Sequence, residues 1–199
     1  MYIRFKLFIK ILFYHKPVIW PILETIQGLI YALKYFYYYK VLKGEKGMSV
    51  KEVNIEFSSQ CNLRCQFCSL DHLKPKELIT PEIMEKFLVG FIEDKRYKSI
   101  KRINLYNGGE VLLHPKRIEM LGVLKKYKDL AKQKGKHFPE IHLLTNFVLM
   151  REKLAEQIID LDVVDLLGIS FDGGTLEAFE EMRTNAKWNI FYENAIAFD

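Results

Sequence analysis

The chain has 199 residues, 49% of them hydrophobic and 28% charged, a globular balance that excludes a disordered tail and a collagen-like fibre. A chain of this length can bury a core without disulfide staples, and three cysteines is an odd count for a disulfide framework. The net charge of +5 is uneven: residues 1–50 carry eight Lys/Arg against two Asp/Glu, and the remainder 22 against 23.

In chain order, residues 1–47 form a basic, aromatic segment expected to be one or two helices broken at Pro17 and Pro21. Phe5, Phe8, Ile9, Leu12 and Phe13 recur at helical spacing with lysines between them. The longest uncharged stretch, Thr25 to Leu33, is nine residues, while a spanning helix needs about 20 apolar ones, so a transmembrane helix is disfavoured. A secretory signal is disfavoured for the same interruptions. Two readings remain for residues 1–45: an interfacial helix on an anionic membrane, or a helical hairpin docked on the following domain. No nucleic-acid motif accompanies the lysines, and nucleic-acid binding is not expected. Gly44 and Gly47 mark a linker.

Residues 48–199 alternate strand and helix. Val53, Ile55 and Phe57 predict a first strand. Thr80-Pro81 predicts a helix start, with Ile83, Phe87, Leu88 and Phe91 on one face. Arg102 to Tyr106 reads as a second strand, and Pro115 opens a helix that runs to Gly135. Glu140 to Thr145 is a third strand, Arg151 to Asp160 a third helix, and Val163 to Phe171 a fourth strand, apolar as a buried parallel strand should be. Further helices are expected from Thr175 and across Ile190 to Phe198. This alternation means an α/β fold with parallel βαβ units, whose active sites collect at the carboxyl ends of strands. Four such ends carry polar or glycine-rich segments: the cysteines, Gly108-Gly109-Glu110, Thr145-Asn146, and Ser170 with Asp172.

The three cysteines, Cys61, Cys65 and Cys68, fall within eight residues. Thiolates so spaced can serve one metal or cluster site in a reducing compartment. With no fourth cysteine, one iron of a four-iron cluster would be open to a small molecule. A structural zinc site, with His72 completing C-x3-C-x2-C-x3-H, is the competing reading. It would make the chain a non-catalytic module docking to a membrane or protein partner.

The cysteine spacing, the Gly-Gly-Glu segment about 40 residues on and Ile-Ser-Phe-Asp-Gly about 60 beyond that resemble the radical S-adenosylmethionine (SAM) enzymes over about residues 53–199. The resemblance implies a partial parallel (β/α) barrel of about four βα units. Cys61, Cys65 and Cys68 would hold a [4Fe-4S] cluster, with SAM on the fourth iron. Phe67 would lie near the adenine. Gly108, Gly109 and Glu110 would approach the methionine amino group, with Glu110 accepting its hydrogen bond. Leu113-His114-Pro115 matches the tail of that motif. Asn146, Ser170 and Asp172 match ribose-side positions, and Arg183 could pair with the SAM carboxylate or be a solvated helix residue. Val111 stands where the family commonly has Pro, and is expected to alter only the turn. Phe147 stands where Gly is common, and is expected to alter the backbone at Asn146.

The implied reaction is reductive cleavage of SAM to a 5′-deoxyadenosyl radical that abstracts hydrogen from a peptide, protein or metabolite. An external electron donor such as a flavodoxin or ferredoxin would be needed. The motif style resembles the subgroup with a C-terminal auxiliary-cluster domain, missing here, so a fragment of a longer cytoplasmic enzyme is expected. Four strands would also leave an open sheet edge.

Overall fold

The computed structural model describes residues 19–41 and 50–198. The chain divides into two compact units, residues 1–49 and 50–199. The expected helix through Phe5 to Phe13, the break at Pro17 and the Gly44–Gly47 linker lie outside the described residues.

In the first unit, α1 spans Ile19–Phe36 and ends in a π-helical turn, Tyr37–Val41. Pro21 does not break it. A proline in the first turn lacks only an N–H that has no intrahelical acceptor there, so the helix runs through. Among the described residues no helix is long and apolar enough to cross a membrane.

The second unit is an α/β half-barrel. Its sheet holds β1 (Glu52–Asn54), β3 (Arg102–Leu105), β4 (Glu140–Thr145) and β5 (Leu166–Ile169), all parallel and in that order. Between them run α2 (Pro81–Glu93), α3 (Arg117–Gln133) and α4 (Glu152–Asp160), followed by α5 (Leu176–Met182) and α6 (Trp188–Phe198). Thr80 caps α2 through its hydroxyl, 3.3 Å from the Ile83 N–H. The α2 face differs from the expected one: Met84, Leu88, Phe91 and Ile92 are buried, Phe87 is half-buried, and Ile83 is exposed. Met84 and Leu88, four apart, supply the stripe that Ile83 was expected to begin. Gly135 ends the α3 region at φ +61°, a left-handed conformation that strains residues bearing a side chain and that glycine takes freely.

One face of the sheet feeds the core through Ile103, Leu105, Ile141 and Leu143. On β1 and β3 the alternate positions are polar. Glu52, Arg102 and Glu140 stand in register, with Arg102 2.7 Å from Glu52 and 3.7 Å from Glu140. In the next row Asn104 Nδ2 donates to Asn54 Oδ1 at 3.0 Å. The fourth strand is not the buried strand its composition predicts. Among the described residues β5 is bonded only to β4, at the edge of the sheet, and Leu166 and Ile169 are exposed. Apolar content was the same as for an internal strand; position in the sheet decided burial.

A second, two-stranded sheet was not expected. β2 (Arg64–Cys65) pairs antiparallel with β6 (Arg183–Thr184), setting Cys65 opposite Arg183. It straps the cysteine segment to the region after α5.

Candidate cluster and cofactor site

The cysteine loop leaves β1 beyond Phe57, whose buried ring anchors its start. Cys61 and Cys65 are half-buried, Cys68 is exposed, and all three are free thiols. The Cys61 sulfur accepts from the Leu63 N–H at 3.4 Å and from Asn146 Nδ2 at 3.7 Å. Burial pushes the Cys61 thiol up, and the Leu63 N–H opposes it. Burial also raises Cys65, against the nearby Arg183 cation. Metal binding to such thiols releases protons and strengthens as pH rises.

The Gly-Gly-Glu segment follows β3. Glu56, two residues past β1, holds both glycine amides on one oxygen, at 3.1 Å from Gly108 N and 2.7 Å from Gly109 N. A β-carbon on Gly109 would sit 1.7 Å from the Ser58 carbonyl oxygen, so only glycine lets this turn close on the cysteine loop. The Glu110 N–H then donates to Gln60 O at 2.6 Å.

Glu110 is buried. Its carboxylate accepts from the Thr145 hydroxyl at 2.6 Å, the Asn146 N–H at 2.9 Å and the Leu112 N–H at 3.0 Å. Burial pushes its pKa up, toward the neutral form, and these three donors oppose that shift. With three donors on two oxygens, the carboxylate keeps about one lone-pair direction for an external ammonium. It joins the ends of β3 and β4 more than it faces outward. Val111 opens a short 3-10 turn, Val111–Leu113, capped by Glu110, so proline is not needed there. His114 is buried: its Nδ1 accepts from the Lys116 N–H at 3.1 Å, and its Nε2 lies 3.0 Å from Ile79 O.

Asn146 turns toward the cysteines. Its Nδ2 donates to Asn62 Oδ1 at 2.9 Å as well as to Cys61, and its Oδ1 accepts from the Val148 N–H at 3.1 Å. Both amide hydrogens are used inside the protein, which leaves no donor for the expected ribose contact. Phe147, in the place where Gly is common, sits at a left-handed turn. It holds φ +66°, the left-handed conformation that glycine takes without strain. That conformation costs a side-chain-bearing residue on the order of 1–2 kcal/mol. The Phe147 ring is fully buried against Phe191 and Phe198, at centroid distances of 6.3 and 5.6 Å, which offsets the strain. Asn194 of α6 secures the turn, donating to Phe147 O at 2.9 Å and Val148 O at 3.0 Å.

Ser170 lies just past β5, its N–H donating to Thr145 O at 2.9 Å. Two residues on, Asp172 pairs with Arg183. Arg183 is not a solvated helix residue: it is buried, bonds Asp172 through Nη2, and lies 5.8 Å from the Phe67 ring centroid. Its Nε is buried with no partner among the described residues. An unpaired buried guanidinium N–H calls for an acceptor, and a ligand carboxylate beside Cys65 would be one. Phe67 is 54% exposed, leaving ring surface for a planar group.

The zinc reading fares poorly. His72 Nδ1 faces the Arg64 guanidinium, and among the described residues no three His, Cys, Asp or Glu side chains gather as one metal ion requires. A cube of four irons instead takes one thiolate per iron, so its ligands stand apart. The donor set therefore suits a cluster: three thiols on one strapped loop, beside a buried cation with an open N–H.

Sequence reasoning missed Glu56, Asn62 and Asn194. Glu56 alternates with the core residues Ile55 and Phe57, which places it on the polar side of a strand end. That was the available signal.

The family model described as Radical SAM superfamily matches residues 55–197. The S-adenosylmethionine-dependent nucleotide dehydratase RSAD2 of Siniperca chuatsi is 28% identical over 134 residues, covering 67% of this chain and 35% of that protein. GTP 3′,8-cyclase of Aquifex aeolicus is 28% identical over 110 residues, covering 53% of this chain and 30% of that protein. The chain thus spans about a third of the length of the curated relatives it matches. Among solved structures, Streptococcus suis SuiB bound to precursor peptide SuiA superposes with a TM-score of 0.60 at 16% identity, over 88% of this chain and 35% of SuiB. Native anSMEcpe with bound AdoMet superposes with a TM-score of 0.59 at 21% identity, over 74% of this chain and 40% of that one. These two likenesses show the fold.

Proposed function

The chain belongs to the radical SAM superfamily, whose members bind a [4Fe-4S] cluster and SAM, and from that we propose that it is the core of a SAM-cleaving enzyme. Cys61, Cys65 and Cys68 would hold the cluster. When bound, cluster and SAM supply one-electron reductive cleavage of the C5′–S bond, releasing methionine and a 5′-deoxyadenosyl radical that takes a hydrogen atom from a substrate. The residues of the chain bind and orient. Arg183 offers its open Nε–H to the SAM carboxylate. Glu110 offers its remaining lone pair to the ammonium, and Phe67 an apolar ring to the adenine. Gly108 and Gly109 keep the turn close enough for this. Ser170 and Asp172 line the ribose side, with Asp172 also holding Arg183. The observation that carries the reading is the meeting of the cysteine loop, the Gly-Gly-Glu turn, the end of β4 and buried Arg183 at one end of the sheet. The electron would come from a flavodoxin or ferredoxin, and the substrate is a peptide, protein or metabolite.

The test is anaerobic reconstitution with iron and sulfide, then reduction in the presence of SAM. Broad visible absorption near four irons per chain, with 5′-deoxyadenosine and methionine released, is the expected result. A chain that takes up zinc but no iron overturns it.

A second part of the reading concerns residues 1–45. We infer that this segment lies on an anionic membrane surface. Ile22, Ile26, Leu29, Ile30 and Leu33 of α1 are exposed, and Lys34 and Lys40 flank an aromatic run of four tyrosines and Phe36. Apolar side chains with interfacial tyrosines and lysines suit the headgroup boundary. Co-sedimentation with phosphatidylserine vesicles should be lost on removal of residues 1–45; unchanged binding overturns this part.

A further inference from the structure

The side chain of Asn146 has a use that the SAM reading did not assign. It comes from the end of β4, yet reaches the cysteine loop 85 positions earlier. Its orientation is determined by its partners. Oδ1 takes the Val148 N–H, and Nδ2 gives one hydrogen to Asn62 Oδ1. A flipped amide would set oxygen against oxygen at Asn62 and hydrogen against hydrogen at Val148. The second Nδ2 hydrogen is thereby aimed at the Cys61 sulfur, at 3.7 Å. The Glu110 carboxylate fixes the backbone beneath it through the Asn146 N–H. The Asn146 side chain is buried, so water does not compete for its amide hydrogens.

We propose that Asn146 is a tuning residue: its side-chain N–H···S bond to Cys61, oriented by Asn62, raises the reduction potential of the cluster that Cys61 helps to hold. The physical reason is charge. Reduction adds an electron to a cluster whose thiolate ligands share its negative charge. A donor aimed at one sulfur stabilises the more negative state, and hydrogen bonds to the sulfurs are one of the main controls on cluster potential. The Leu63 N–H, at 3.4 Å, acts on the same sulfur in the same direction, but as a backbone group it does not depend on the residue type. The side-chain bond is the one that substitution can remove. This inference rests on the cluster reading above.

The test uses the full chain reconstituted anaerobically, with the cluster midpoint read by potentiometric titration followed by electron paramagnetic resonance. Asn146→Ser retains an oxygen that can accept from Val148 but cannot reach Cys61. Asn62→Ala leaves Asn146 and its turn in place while removing the acceptor that orients the amide. Asn146→Ser should load with the same iron and sulfide content and show a lower midpoint. The oxidised-to-reduced ratio at fixed potential should rise several-fold, a tenfold rise corresponding to about 59 mV for a one-electron couple. Asn62→Ala should shift the same way by less, and it carries the test alone if Asn146→Ser does not fold. A loaded variant with the wild-type midpoint, or a higher one, overturns the inference while leaving the cluster reading intact. A wild-type chain that takes up no iron overturns both.

Discussion

Cys61 and Cys68 sit seven residues apart on one loop, in unlike surroundings. Around Cys61 the chain is held by other strand ends: Asn146 and Asn62 meet beside the sulfur, the Gly109 turn presses on Ser58, and Glu110 hydrogen-bonds Gln60. Around Cys68 there is solvent on one side and a half-exposed Phe67 resting on Arg183 on the other. On this side the strap is the two-residue ladder of β2 and β6, extended by Gln66, which donates from its backbone to Met182 O and from its side chain to Glu181 O, each at 3.0 Å. The contrast teaches how one loop can be both rigid and receptive. The held end sets where the site is, and the open end leaves room for ligands to enter. Long-range backbone closure makes the first; absence of packing makes the second.

The largest break of this contrast is expected from Gly109→Ala. Its β-carbon has backbone, not a yielding side chain, in its way. The held end should come apart, with a loss of about 3 kcal/mol or more in urea unfolding and a Cys61 thiol as quickly alkylated as Cys68. Glu110→Gln should cost about 2 kcal/mol, because the new amide turns an N–H toward one of three buried donors. Glu56→Gln keeps an acceptor for both glycine amides and should cost under about 1 kcal/mol, with the alkylation order unchanged. A loss comparable to Gly109→Ala would show that the Glu56 charge, not the geometry, closes the turn.

The intact apo-protein sharpens the comparison without substitution. Burial holds the Cys61 thiol above its ordinary range, so less of it is thiolate at neutral pH. Iodoacetamide should therefore label exposed Cys68 first and Cys61 last. Raising the pH should narrow the gap, since ionisation of Cys61 has further to go. Mass spectrometry of partly labelled chain reads both. Equal rates at neutral pH would remove the distinction between the two ends.

Much of the site was legible residue by residue. The cysteine spacing, the paired glycines and the strand-end positions of Asn146, Ser170 and Asp172 are local features, and local chemistry reveals them. The strand and helix order was legible because periodicity is local too. The misreadings share a cause. Ile83 and Met84 are both apolar, and which one enters the core depends on how α2 rolls against its neighbours. β5 has the composition of an inner strand, but its exposure follows from having one neighbour among the described residues. For Arg183 the sequence left two readings open, a partner for the SAM carboxylate or a solvated helix residue, and only the pairing of β6 with β2 and its burial removed the second.

From the sequence alone came the proposed ligand set, the family and the parallel alternation, because each rests on residue identity and short spacing. Only the tertiary structure decided what those groups do to one another. It spent the Asn146 amide on Asn62 and Cys61, turned Glu110 inward, let Phe147 keep a glycine's backbone, and left one Arg183 N–H unpaired. Each outcome depends on groups far apart in the chain meeting where water is excluded, and there a buried hydrogen bond is costly to leave unmade.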